Sequence, residues 1–171
     1  MTEPQLADLQ RRLQRIEDER AIERLIASYG PLVDAGDAES TAALWCEDGV
    51  YDVEDWLMNG REEIAAMVRS PGHQGLITHG CTHFLGPAVV TVTGDEAIAV
   101  CESTLLVKQG SGFRVARGGA NYFHLSRVAG APGGWQIRRR ITRLLDGTAE
   151  SRALLSDGIA GRIRPDRPLR G

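Results

Sequence analysis

From Thr82 to Leu145 the chain reads as long strands joined by short turns, and this run restricts the fold more than any other feature. Thr82–Thr93, Ala97–Val107, Phe113–Val128 and Trp135–Leu145 carry the β-branched and aromatic residues of strands. Gly94-Asp95, Gly110-Ser111-Gly112 and the Gly/Pro-rich stretch 129–134 separate them. Such connections are too short for a crossover, so consecutive strands are expected to pair as antiparallel hairpins.

The residues before this run read as helix. Leu6, Leu9, Leu13 and Ile16 step by three and four, as do Ile22, Leu25, Ile26, Tyr29 and Val33, giving a helix over 5–35. Arg20 interrupts the stripe, so the helix is expected either in two pieces or with a rotating buried face. Gly30-Pro31 lies within the second stripe. A proline there removes a backbone bond and crowds the preceding turn, yet the apolar spacing resumes at Leu32 and Val33. A kink is expected, with Asp34 just past it and Ala35-Gly36-Asp37 closing the helix. Next come a short helix over 38–46 burying Leu44 and Trp45, a strand at Val50–Val53, and a turn at Asn59-Gly60. A helix over 61–69 carries Ile64, Met67 and Val68 and ends at Ser70-Pro71-Gly72. A last short helix is expected over 149–156. Helices followed by hairpin-linked strands make an α+β plan in a single domain, with a core over about 5–156 and a tail over 157–171 that frays or docks on a neighbour.

Several functions are excluded or disfavoured. With 20 basic and 23 acidic residues the net charge is −3, so no basic surface calls for nucleic acid. No apolar run approaches the ~18 residues of a membrane span. Met1-Thr2-Glu3-Pro4 has neither the basic start nor the apolar core of a secretory signal. Cys46, Cys81 and Cys101 are odd in number and widely spaced, which reads as reduced thiols and a cytoplasmic location. His73, His79 and His83 suggest a metal, but in an extended segment residues four apart stand ~13 Å from each other. Bonds of ~2.1 Å cannot bridge that gap, so no metal is expected. Phosphate loops, nucleophile elbows and zinc motifs are missing from the sequence.

Three strings in order carry a resemblance: Ala27-Ser28-Tyr29 to Asp34-Ala35-Gly36-Asp37, Thr82-His83-Phe84-Leu85-Gly86-Pro87, and Gly134-Trp135-Gln136-Ile137 to Asp146-Gly147. Over about residues 5–156 the chain resembles the SnoaL-like proteins of the nuclear transport factor 2-like superfamily. The resemblance implies a curved antiparallel sheet wrapped around N-terminal helices, a cone with a deep apolar pocket. Its members include scytalone dehydratase, bile-acid dehydratase, hexachlorocyclohexane dehydrochlorinase, ketosteroid isomerase and polyketide cyclases, besides ligand-binding and assembly proteins. In several of the lyases an Asp late in the first helix pairs with a His entering the first long strand; Asp34 and His83 stand at those places. Tyr29 has the spacing of a further site tyrosine in bile-acid dehydratase. The second histidine of scytalone dehydratase has no counterpart among Gly119, Ala120 and Asn121, and Leu106 replaces a further acid of bile-acid dehydratase. The resemblance also implies a homodimer or homotrimer associating through the sheet face or the N-terminal helix.

The pairing has a chemical rationale. Neutral imidazole takes a proton at physiological pH, and a carboxylate fixes its tautomer and stabilises the imidazolium. An apolar lining strengthens both effects. β-Elimination, double-bond migration, ring closure and epoxide opening on a small apolar, oxygenated molecule fit this pair, and none needs a cofactor. Asp34 as a cap or surface ion pair and His83 as a hydrogen-bonded core residue are the plainer readings. The same fold also serves non-catalytic binding proteins and assembly modules.

Other residues are candidates for the wall of the site. Trp45, Tyr51 and Trp56 read as core or pocket wall. By alternation Asn121 shares a face with Phe123, and His124 shares the other with Tyr122 and Ala120; Asn121 is taken as the polar pocket group. Glu102 reads as a pocket acid or a salt-bridged strand residue. Alternation assigns Arg138 and Arg140 to a solvated face with Gln136 and Thr142. Arg139 and Arg143 fall with Trp135, Ile137 and Ile141, where Arg143 becomes a pocket cation or the partner of an acid.

Overall fold

In the computed structural model, which describes residues 1–163, helix α1 runs without a break from Glu3 to Asp34. Pro31 sits inside its last turn and does not end it. The two apolar stripes have different fates. Ile22, Leu25, Ile26, Tyr29 and Val33 are buried against the sheet, whereas Leu6, Leu9, Leu13 and Ile16 face solvent. Burial begins at Asp18, because the first turns of α1 extend past the other elements.

Helix α2 spans Ala38–Ala42 and is capped by Asp37, whose side chain accepts from the Ser40 amide. Trp45 is not helical, as the sequence suggested; it opens strand β1, Trp45–Val53. Strand β2, Trp56–Asn59, returns antiparallel to it. Helix α3, Gly60–Arg69, buries Ile64, Met67 and Val68 as expected. Pro71 does not stop the chain there. It occupies the first turn of another helix, α4 (Pro71–His79), capped by the Ser70 side chain on the His73 amide. Proline is compatible with the first helical turn because its missing N–H has no intrahelical partner to lose. The expected strand 82–93 is two strands, β3 (Cys81–Leu85) and β4 (Val89–Thr93), separated by Gly86-Pro87-Ala88. Both pair with the long β5, Glu96–Gln109. β6 (Gly112–Arg127) and β7 (Trp135–Leu144) complete the sheet, and α5 spans Ala149–Ile159.

The sheet is curved and open, ordered β2-β1-β7-β6-β5-β3, with β4 also on β5. Every pairing is antiparallel except β1 with β7. Those two strands are distant in sequence, so no hairpin dictates their relative direction. One face packs on α1 through Phe123, Leu125, Trp135 and Ile137. The other carries Val100, Ala120, Tyr122 and Ile141, covered by Leu154 of α5 and by Ile163. Residues 157–159 therefore belong to a docked helix rather than to a tail, and the rest of the expected tail, from residue 164 on, lies outside the described residues. Among the described residues no helix is long and apolar enough to cross a membrane.

Asp18 fastens α1 to the β6–β7 hairpin. Its carboxylate accepts two bonds of 2.8 Å from Arg127 and one of 3.0 Å from the Trp135 indole. Arg127 lies 4.4 Å over the Trp135 ring. These bonds, Arg127 first, hold the Asp18 carboxyl below its ordinary range although burial opposes them. A depressed folded pKa adds stability above the unfolded carboxyl value, and that stability is lost as pH falls through the folded one. Asp18→Asn should lower unfolding stability by about 2–3 kcal/mol at neutral pH. Urea melts at pH 7 and pH 3 should show the gap narrowing in acid.

Candidate active site

The site begins where α1 meets β3. At Gly30 a side chain is excluded: a Cβ there would lie 2.1 Å from the backbone oxygen of His83. Glycine lets the helix touch the strand, and one turn later the helix ends at Asp34. The Asp34 carboxylate reaches across to β3. Its Oδ2 accepts the His83 backbone N–H at 2.7 Å, and its Oδ1 accepts His83 Nδ1 at 2.6 Å. One carboxylate thus fixes both the strand and the ring. With the Nδ1 proton held by Asp34, Nε2 keeps its lone pair, and among the described residues it has no protein partner. Burial lowers the His83 pKa below its ordinary value, with Asp34 pulling the other way and less strongly. Burial therefore favours the neutral ring.

Cys81 donates its thiol to Asp34 Oδ1 at 3.6 Å. Donor atoms of Asp34, Cys81 and His83 lie within 4.8 Å of one another, a spacing a metal ion could use. Here the three are bonded to one another: both carboxylate oxygens accept hydrogen bonds, and burial, with Asp34 adding to it, pushes the thiol up to about 11.

The pair borders a cavity of about 460 Å³, well within the size range of small-molecule sites. Tyr29, Tyr51, Trp56, His73 and Arg140 line it with His83. Tyr29 meets the His83 ring edge-on at 6.3 Å between centres and Tyr51 at 6.3 Å. Burial, with Tyr51 adding to it, pushes its phenol far above the usual value, so Tyr29 is a hydrogen donor and never a phenolate here. Trp56 is half exposed, at the cavity wall rather than in the core. Trp45 is fully buried outside the lining and supports Tyr29 and Tyr51 from behind, at 6.0 and 5.4 Å.

Among the lining residues that were not foreseen, two stand next to the aromatic rings of the site. His73 arrives on α4, a helix hidden by its own proline. It donates Nε2–H to the Val33 carbonyl at 3.0 Å and lies 5.7 Å from the His83 ring. The histidine triplet thus has a use, though His79 is exposed and bonds only to Gly75 of its own helix. Arg140 was assigned to a solvated face; it is 2% exposed. The reason is a β-bulge. Leu125 pairs with Ile137 while His124 pairs with Arg139, leaving Arg138 as an extra residue. One extra residue inverts the alternation beyond it. Arg140 and Thr142 therefore point inward with Trp135 and Ile137, and Ile141 points outward.

Arg143 turns outward for the same reason. It is no pocket cation: it bonds Asp52 at 2.8 Å and Glu150 at 2.9 Å, under α5. Arg139 also pairs with Asp52. Asn121 is inward, as expected, but sits behind the cavity wall. Its Oδ1 accepts from Arg140 Nε and Nη2 at 3.3 and 2.8 Å and from Thr142 at 2.8 Å, and its amide donates to Ser103 and to the Cys101 carbonyl. It orients Arg140 rather than lining the cavity. His124 faces outward and pairs with Glu96, and Glu102 is exposed away from the cavity.

Residues 14–141 match the SnoaL-like domain. The chain belongs to the SnoaL-like family. Among solved structures, a nuclear transport factor 2-like protein with a cystatin-like fold from Novosphingobium aromaticivorans is 45% identical, over 88% of this chain and 97% of that one, with a TM-score of 0.84. A protein of unknown function from Mycobacterium tuberculosis is 19% identical, over 88% and 85%, with a TM-score of 0.68. A candidate scytalone dehydratase from Novosphingobium aromaticivorans is 21% identical, over 84% and 88%, with a TM-score of 0.60. The last two share the fold alone. No curated protein matches the chain.

The close approach at Gly30 makes a local prediction. Gly30→Ala must push α1 away from β3, because the obstacle is backbone. It should cost about 1–3 kcal/mol and lengthen the Asp34–His83 bond. In a folded Gly30→Ala protein the strongly downfield His83 Nδ1 proton expected of a short imidazole–carboxylate bond should weaken or vanish from the NMR spectrum.

Proposed function

We propose that this SnoaL-like protein is a cofactor-independent acid–base enzyme. It would act as a lyase, isomerase or cyclase on a small, mostly apolar, oxygenated molecule of the polyketide, steroid or aromatic kind. The observation that carries the reading is the 2.6 Å bond from His83 Nδ1 to Asp34 Oδ1 beside a cavity of about 460 Å³. The kinship with a candidate scytalone dehydratase supports the reaction class only as an analogy of fold.

In this reading His83 Nε2 removes a proton from a carbon next to a carbonyl or an equivalent acceptor. Asp34 stabilises the imidazolium that results. Tyr29 donates a hydrogen bond to the substrate oxygen on which charge develops. The proton then returns to a leaving oxygen in an elimination, or to another carbon in an isomerisation. No step calls for a redox partner or a Lewis acid, since the proton is carried by the imidazole alone.

Two measurements test this. In an NMR titration of Asp34→Asn the His83 pKa should fall below that of the wild type, because the carboxylate is what offsets burial. Ring opening of 5-nitrobenzisoxazole, a general probe of C–H proton abstraction, should rise with pH along the deprotonation of His83, with its midpoint below the ordinary imidazole value. His83→Gln should lower that rate about a hundredfold. A His83 that titrates alike in both proteins, with a probe rate indifferent to its loss, would leave a binding protein instead.

A further inference from the structure

Arg140 is a charged group buried in the wall of the cavity. Among the described residues it forms no ion pair. Its Nε and Nη2 are both spent on one neutral acceptor, Asn121 Oδ1. Its Nη1 is buried with no hydrogen-bond partner. The guanidinium lies 4.2 Å from the centre of the Tyr29 ring, 4.7 Å from Tyr51 and 5.1 Å from Phe123. Aromatic faces offset part of the cost of burying a cation, but an unmade charged hydrogen bond in a dry site remains expensive.

The other arginines of the same strand differ. Arg138, Arg139 and Arg143 all have carboxylate partners. Of these four, among the described residues, only the arginine that the bulge turns into the cavity lacks a carboxylate; Arg143 also has a buried Nη2 with no hydrogen-bond partner, but on the outer side, where Asp52 and Glu150 balance its charge. Asn121 holds Arg140 in place: two donated bonds fix its amide, and Thr142 shares its oxygen. Glu54 and Asp55 also line the cavity, and Glu54 pairs with Arg117, another lining residue, and accepts from the Leu144 amide.

His83 and Arg140 both stand beside Tyr29, whose ring is 6.3 Å from His83 and 4.2 Å from Arg140, close enough for one small molecule to reach both. We infer that the ligand of this cavity is an organic anion, an apolar body bearing a carboxylate or an equally acidic oxygen, which seats on Arg140 and presents its neighbouring carbon to His83. This rests on the acid–base reading for the role of His83 but not for the charge of the ligand. Asn121 is the positioning residue for the cation.

The test compares acids with neutral isosteres of the same shape. Benzoate, 2-naphthoate and 9-phenanthrenecarboxylate, each against its primary amide, are titrated into the wild-type protein by calorimetry. In the pair that fits the cavity the acid should bind about tenfold tighter or more. Arg140→Gln should abolish the preference, with circular dichroism showing that the fold is kept. Should that variant not fold, Arg140→Lys retains the charge but loses the two-pronged grip on Asn121, and a reduced preference for the acid is expected. His83→Gln should leave the preference intact, which separates this inference from the catalytic one. If in no pair the acid binds more tightly than its amide, the anionic ligand is wrong and the Asp34–His83 chemistry stands or falls on its own titration.

Discussion

The contact of α1 with β3 is the joint on which the site depends. A helix and a strand edge can approach closely only where one of them has no side chain, and Gly30 provides that place against the His83 carbonyl. The helix then has four residues left in which to deliver a carboxylate, and Asp34 is its last residue. The same carboxylate binds the His83 amide and the His83 ring. Placement of the imidazole and fixation of its tautomer are therefore one event. A carboxylate at a helix C-terminus faces the negative end of the helix dipole, so the two donors from β3 are what make the position tolerable.

Depth in the cavity orders its chemistry. His83 is kept neutral by burial and kept oriented by Asp34. Tyr29 is kept protonated by burial. Arg140 brings a planar guanidinium with its fork of donors. The pocket therefore brings an imidazole and a guanidinium beside one phenol ring. In a low-dielectric lining each acts more strongly than it would in water. The rings of Tyr29, Tyr51 and Phe123 serve both as apolar wall and as the faces on which the cation rests.

Much of this was legible in the sequence, and the failures share a cause. Asp34, His83 and Tyr29 could be placed together through the resemblance to SnoaL-like lyases, which sets an acid late in the first helix opposite a histidine entering the first long strand; periodicity alone left Asp34 a cap or ion pair and His83 a core residue. The parts that periodicity misplaced all follow an irregularity. Strict alternation along β7 assigns Arg143 to the cavity and Arg140 to solvent; one bulged residue, Arg138, exchanges them. The helix expected over 38–46 stops at Ala42, and Trp45 opens β1, whose register on β7 shifts between Trp45 and Val50. Pro71 signals an end or a beginning with equal force, and it concealed α4 and with it His73. The split of β3 from β4 at Pro87 matters less, since both strands pair with β5 and the direction of His83 is unchanged.

The bulge in β7 therefore decides more than a local turn of the chain. Without it, Arg139 and Arg143 would point at Tyr29 and lose Asp52, which lies with them on the outer side near α5. Two cations would then be buried where one now is, and Ile141 would leave the cluster that holds α5 on the sheet. With it, the strand places its paired charges under α5 and turns a single unpaired guanidinium inward. A defect in the ladder is costly, since a bulged residue leaves the regular pairing. Here it buries Ile141 on the outer side and aims Arg140 on the inner one, so the stability of the sheet and the polarity of the cavity are set by the same extra residue.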